Sequence, residues 1–488
     1  MIKGLYWINL FVLLLLSSFI HIQTDPQSVF AAIASNVDKK GMAYENLQAA
    51  SVEIGHRLTG SENGKKAEQM AYDLFEKYGL KNTQFIPFEV SSWSREQVSL
   101  KIVPDQSDNF RDVEVVSLAH SPIAANVSGK IIDCKDGLES DFEDVGDSLS
   151  GNIALFNVDV RYDKNKGKPN LHRSEKTALA IKNGAAAVIL VNRVKGGVLL
   201  TGTASVTGDL IAIPAVCVSL ESGRAIRKWI RDEKNIMAQI DMTNHFEPVR
   251  ARNVAAKYNG KLKKETIVVG AHLDSWDLAQ GAIDNGLGAF SVIDIARVFK
   301  DLKLKTKRPI QFVLFMGEEE GLLGSKAYLD YLKKTGDIEN VAMMVNLDMV
   351  NDCSGFNAFG DEKMKSLVEK YGKEIQDFDP NYKNKNYNSA GLHSDHQVFM
   401  TAGVPICTPT GHLSPSAINC YHADCDKIDL VNKSEINNNV KYTAMMLYEL
   451  ANSHKLPAKK NSEETRDYLI AQHLKEALIL GKEWLWEE

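Results

Sequence analysis

From Val249 onward the chain alternates short, strongly apolar runs with longer stretches in which apolar residues recur every three or four positions. The short runs have the length and content of buried strands, and the periodic stretches that of amphipathic helices. Strands are therefore expected at 267–272, 310–316 and 343–349, with helices at 289–302, 323–335, 362–376 and 435–452. Strands separated by helices build an α/β domain, a mainly parallel sheet covered on both faces in three layers. The start of the chain has helical spacing over 25–54 and a loop at Gly55 to Ser61. An amphipathic helix is expected over 64–78, where Ala67, Met70, Ala71, Leu74 and Phe75 share a face and Gly79 ends the run.

The pattern between 107 and 246 differs. Short β-type runs at 127–132, 152–158, 185–191 and 213–218, with a helical run at 174–183, read as an inserted module. Few ligand-type residues are grouped there, so the insert either shapes access to a site elsewhere or serves as a passive spacer.

Composition excludes several classes. With 488 residues, 44% hydrophobic and 25% charged, the chain is an ordinary globular sequence long enough for two or three domains. A net charge of −6 carries no basic footprint for nucleic acid. Met1-Ile2-Lys3 and the apolar stretch from Leu5 to Ile20 have the form of a secretory signal, which implies export. An uncleaved anchor is the alternative, and no stable membrane insertion is expected of the remainder. Cys134, Cys217, Cys353 and Cys407 lie in or beside apolar runs, where a buried thiol is the default. Cys420 and Cys425 are spaced to close a small loop in an oxidising compartment.

Candidate chemistry sits where the expected strands end. Ligands of parallel sheets bind outside the carboxyl ends of the strands, and His272, Glu318, Glu319 and Asp348 all fall at or just past such ends. His272 and Asp274 point to one side of their strand, so the imidazole reads as a metal ligand and the aspartate as its orienter. Asp284 follows on a glycine-rich turn, and His422 lies in an aperiodic stretch beside acidic residues. Acids gathered at the mouth of a buried sheet lose hydration and repel one another unless a cation joins them. Imidazole and carboxylate donors without thiolates suit zinc. In the expected allocation His272 and Asp348 complete one ion, Glu319 and His422 a second, and Asp284 bridges both. A hydroxide shared by the two ions would be the nucleophile, with Glu318 as general base.

These motifs resemble the co-catalytic zinc exopeptidase family of the leucyl aminopeptidase and glutamate carboxypeptidase type. The match runs in order through His272 with Asp274, Asp284, Glu318-Glu319 before Gly321, Asp348, and His422 four residues ahead of Asp426. His272 to Asp277, Gln280 to Ala282, Arg57 to Ser61 and the insert look most like the carboxypeptidase Q branch, whose insert is a protease-associated domain that lids the cleft. The resemblance implies two zinc ions per chain, a peptide substrate, a cis Asp284-Asn285 bond, and Tyr421 as the phenol that stabilises the oxyanion. It also implies that Ser394-Asp395-His396 lines the pocket, and it allows a homodimer. Lys427 departs from the family pattern, which has a threonine after the aspartate, and the segment from Gly391 to Gly411 departs from what is expected of the carboxypeptidase Q branch. The expected layout is a signal at 1–24, the start of the peptidase domain at 25–106, the insert at 107–246, the catalytic part at 247–455 and a helical extension at 456–488. A dipeptide-cleaving exopeptidase is the leading expectation. An aminopeptidase, a glutaminyl cyclase-like acyltransferase and a non-enzymatic receptor are the alternatives.

Overall fold

The computed structural model describes residues 25–104, 110–233 and 235–487. The expected export signal, residues 1–24, lies outside them.

Three parallel strands form the centre of the molecule: Thr266–His272 between Ile310–Phe315 and Val341–Asn346. Ile406–Thr410 adds in parallel beyond Val341–Asn346, and Gly355–Asn357 closes that edge antiparallel. These strands run apolar because both faces are covered: Phe312, Val313, Leu314 and Phe315 are all fully buried. Fully burying a side chain of this size is worth about 1.5–3 kcal/mol, so the sheet supports itself without help from its polar rim.

Helix Leu287–Asp301 is buried along almost its whole length between the sheet and outer helices Pro26–Lys40, Ala43–Glu53 and Lys433–Asn452. Its interior charge is met locally. Arg297 bonds Asp294 at 2.5 Å and Asn36 at 2.8 Å, tying it to the first outer helix. Helix Glu62–Lys77 starts with Ser61 accepting the Gly64 N–H and ends before Gly79, whose φ of +73° suits the left-handed turn that stops it. The sequence reading placed these elements within a few residues.

What the sequence reading did not place is a long ribbon. Lys81–Pro104 and Ile236–Tyr258 pair antiparallel from Lys81 opposite Lys257 to Pro104 opposite Ile236. One half of Ile236–Tyr258 also pairs with Ile310–Phe315, and the other half with Ala124–Asp133 of the insert. The expected boundary at 246–247 therefore falls inside a continuous strand. In the insert, Ala124–Asp133, Ile153–Asn157, Ala187–Val191 and Ala215–Val218 run parallel in sequence order. Three helices accompany them, Glu139–Val145, Arg173–Lys182 and Leu220–Glu233, of which only the second was expected.

The C-terminal segment carries helices Ser462–Ala471 and Lys475–Leu480. Cys420 and Cys425 are disulfide-bonded, and the four other cysteines are buried and free. Among the described residues no helix is long and apolar enough to cross a membrane.

Candidate metal centre

Each central strand delivers part of one cluster. His272 is the last residue of its strand, Glu318 and Glu319 lie on the turn after Ile310–Phe315, and Asp348 lies two residues beyond Val341–Asn346. Asp284 comes from the turn ahead of helix Leu287–Asp301, and its bond to Asn285 is cis. His422 comes from a loop far along the chain and has φ of +53°. The Nε2 of His272 lies 3.3 Å from Asp284 Oδ1 and 3.4 Å from Asp348 Oδ1. The Nε2 of His422 lies 3.0 Å from Asp284 Oδ2 and 2.9 Å from Glu319 Oε2. The donors thus form two trios, His272 with Asp284 and Asp348, and Asp284 with Glu319 and His422. Within each, the donor atoms lie within 4.8 Å of one another. One carboxylate serves both trios, with a different oxygen turned to each.

The surrounding residues hold these donors in place. The Nδ1 of His272 faces the main-chain carbonyl of Asp274 at 3.2 Å, while the Asp274 carboxylate stands 3.6 Å away. That carboxylate accepts the N–H groups of Glu318 and Glu319, both at 3.3 Å, so Asp274 links the first ligand to the turn carrying the glutamates. Trp276 donates its indole N–H to Glu319 Oε2 at 2.8 Å. Ser394 donates to Asp348 Oδ2 at 2.5 Å and accepts from Asn346 at 2.8 Å. Asp426 accepts the main-chain N–H groups of Ile283 at 2.7 Å and Asp284 at 3.1 Å. Arg57 is fully buried, and its guanidinium is spent on the carbonyls of Leu273, Gln280 and Gly281, clamping the Asp284 turn to the His272 strand. Gly281 fits there with φ of +60°, where a Cβ would strike the Ser275 side chain. The sequence reading named Asp274 for the imidazole alone. Trp276 and Arg57 stood inside quoted motifs, but nothing in their spacing disclosed their partners.

Electrostatically the cluster is short of positive charge. Burial raises the pKa of Glu319, with Asp284 adding to the effect against His422. Burial also lifts Glu318 well above its ordinary range, and Asp348 and Glu319 reinforce it despite His272. Asp426 is pushed up to about 7 by burial, against the two N–H groups it accepts. The imidazoles move the other way from what burial alone dictates. His272 is held well above its ordinary value by Asp348 and Glu318, and His422 is raised mainly by Glu319. Glu319 Oε1 and His422 Nδ1 are buried without a partner. Nitrogen and oxygen donors turned toward one another, with unsatisfied buried atoms among them, suit divalent cations of the zinc type.

The insert forms one wall of the cleft. Arg173, Thr203 and Ser205 line it together with Glu318, Tyr421 and His422, and Leu478 and Glu483 of the C-terminal segment also contribute. Thr201 donates its main-chain N–H to the His422 carbonyl at 2.9 Å. Arg95 binds Asp277 at 2.7 and 2.8 Å and Thr201 at 2.7 Å, joining the ribbon, the insert and the loop after His272. Tyr421 stacks on His422 with ring centroids 3.8 Å apart, and its hydroxyl is reached by Arg173. His393, from the segment that departs from the expected carboxypeptidase Q-type sequence, stacks on His172 of the insert with ring centroids 4.9 Å apart.

Comparison with known proteins shows that the chain is similar to peptidases. Residues 253–447 match the model of peptidase family M28, and residues 114–226 match that of the PA domain. Carboxypeptidase Q of Xenopus laevis is 26% identical over 311 residues, covering 63% of this chain and 65% of that one. The structure of a peptidase M28 precursor from Shewanella amazonensis superposes with a TM-score of 0.77 at 25% identity, covering 89% of this chain and 99% of that one. A zinc aminopeptidase from Bacillus subtilis shares the fold at 23% identity with a TM-score of 0.64, covering 87% and 98%.

Proposed function

We propose, for a chain that is a metallo-exopeptidase of peptidase family M28 with an inserted PA domain, that it hydrolyses dipeptides or short peptides carrying a free carboxyl terminus at a two-zinc centre. The observation that carries the reading is the pair of donor trios sharing Asp284. His272, Asp348 and Asp284 would hold one ion, and Glu319, His422 and the other oxygen of Asp284 the second. When bound, the ions supply Lewis acidity toward the scissile carbonyl and bring the pKa of a water toward neutrality.

The chain's own groups do the rest. Glu318 lines the cleft beside both trios with a pKa held above the carboxylate range, which suits it to take a proton from the attacking water and return one to the leaving amine. Tyr421 presents its hydroxyl beside Arg173, in place to donate to the developing oxyanion. Trp276 keeps Glu319 from turning into the cleft, and Ser394 does the same for Asp348.

Arg173 supports the polarity. It is nearly buried, its Nε has no partner, and it is the sole arginine or lysine among the described residues lining the cleft. A guanidinium facing a reaction centre crowded with acids matches the carboxylate of a dipeptide and repels a free ammonium. The disulfide and the apolar run at 5–20 support an oxidising, extracytoplasmic setting. The test is to offer zinc-loaded protein one dipeptide as the free acid, as the C-terminal amide and with a blocked amine. The free acid should be cleaved with a kcat/KM at least about tenfold above the amide, and Arg173→Met should erase that difference. Equal cleavage of acid and amide would sink the polarity. Failure on all three substrates would sink the peptidase reading.

A further inference from the structure

The end of the molecule opposite the cleft holds a second feature. Lys81, Lys257, Lys261, Lys300, Lys303 and Lys305 surround one concave surface together with Tyr258, Gly260 and Thr306, and no acid lines it. The lysines come from separate places: Lys81 and Lys257 stand opposite one another at the end of the ribbon, Lys261 on the turn before Thr266–His272, Lys300 in the last turn of helix Leu287–Asp301, and Lys303 and Lys305 in the chain that leads from it to strand Ile310–Phe315. Among the described residues none of the six is in an ion pair or a side-chain hydrogen bond. The two acids in these segments are engaged elsewhere, Glu265 by Arg308 at 2.8 Å and Asp301 by Arg297 at 3.0 Å. Six unpaired cations around one hollow are unfavourable in isolation, and more conspicuous in a chain whose net charge is −6.

We propose that this lysine-lined face docks the protein on an anionic lipid surface. Charge complementarity is the first argument, since each lysine brought to such a surface adds about 1 kcal/mol. Orientation is the second. The lysines stand at the amino ends of strands whose carboxyl ends carry the metal ligands, roughly 20 Å away at 3.3 Å per residue, so docking leaves the cleft facing outward. The third is where the described chain begins. Gly41, at the end of helix Pro26–Lys40, packs near Asn437, close to the start of helix Lys433–Asn452. Gln27, near its beginning, bonds the carbonyl of Glu374, whose carboxylate acts on Glu449 near the end of that second helix. Asn452 in turn bonds the main chain of Lys305 and Lys307. The first described helix is therefore linked, through helix Lys433–Asn452, to the chain that carries the lysines, so the described residues begin on the layer that borders this face and not on the cleft. This inference does not depend on the peptidase reading.

The experiment is co-sedimentation of the full chain with vesicles of mixed phosphatidylcholine and phosphatidylglycerol, and with pure phosphatidylcholine. The combined Lys261→Gln, Lys300→Gln, Lys303→Gln and Lys305→Gln variant is measured beside it. The mixed vesicles should bind the protein, about 0.5 M salt should release it, and the variant should partition at least about a hundredfold more weakly while hydrolysing peptide at the unchanged rate. Equal binding to both lipid compositions would show that an apolar segment, not the lysines, makes the contact, and would overturn the proposal. Retained binding by the variant would do the same. Tight binding of inorganic tripolyphosphate without vesicle association would assign the face to a soluble anion and overturn docking.

Discussion

The sheet of this chain has two parallel stretches, one on each side of the ribbon, that both end in clustered acids, and the hydrogen bonds of those acids separate the two. In the insert, Asp136 lies just beyond strand Ala124–Asp133 and accepts from Asn157 and Asn165 at 2.9 Å and from the N–H groups of Arg161 and Tyr162 at 3.0 Å. Those donors outweigh its burial and lower its pKa. Asp133 is paired with Arg227 at 3.1 Å, and Asp141 with Lys164 at 2.7 Å. In the peptidase stretch Glu319 has one indole N–H and an imidazole for its two oxygens, keeps Oε1 unpartnered, and has its pKa raised. An acid at a strand end is thus structural where protein donors fill its lone pairs, and a candidate ligand where they leave a deficit.

The deepest test of that distinction is at Glu318, which has a raised pKa and faces the cleft. Replacing it by Gln keeps the shape and removes the proton acceptor. Turnover should fall by about a hundredfold or more, with metal content by elemental analysis unchanged. Retained turnover would remove it as the base and reduce Glu318 to a bystander of the same acidic turn.

The same contrast explains what could be foreseen from the chain alone. The central strands were legible because burial on both faces leaves uninterrupted runs such as Phe312 to Met316, and the candidate ligands His272, Glu319 and Asp348 were legible because they stand at or just past the ends of such runs. The ribbon was not, since Lys81–Pro104 and Ile236–Tyr258 mix charged and apolar residues on a partly exposed surface. Their register is set by a partner about 150 residues away, at pairs such as Trp93 opposite Phe246. Arg173, Thr201 and Arg57 were invisible as site residues for a related reason. Each acts through a contact with a segment more than 200 residues distant, and no local periodicity encodes it.

Acidity should act on the two stretches in opposite senses. Asp426 has a pKa raised to about 7 in the metal-free fold, so the folded chain holds a proton that the unfolded chain releases near pH 4. Its contribution to stability is complete below the unfolded value and is lost as pH rises through the folded one. For chelated protein the loss between about pH 5 and pH 7 should be roughly 2 kcal/mol. It would be seen as faster amide exchange at Ile283 and Asp284, whose N–H groups Asp426 accepts. Asp136 is shifted downward, so its share is present above the ordinary carboxylate pKa and lost only in stronger acid. Exchange at Arg161 and Tyr162 should therefore be level across the same interval.

The smallest effect divides the two stretches most directly. Asp136→Asn puts an NH2 group among four donors and should destabilise the fold by about 1–2 kcal/mol in urea, with metal content unaltered. Glu319→Gln removes a charge that burial and Asp284 already penalise, so the metal-free fold should be as stable as the parent or slightly more so. The same change removes a ligand oxygen from the trio with Asp284 and His422, and zinc affinity should fall at least about tenfold. If Glu319→Gln instead weakened the metal-free fold as much as Asp136→Asn does, the glutamate would be a structural acid like its counterpart. The deficit of donors around it would then have no bearing on metal.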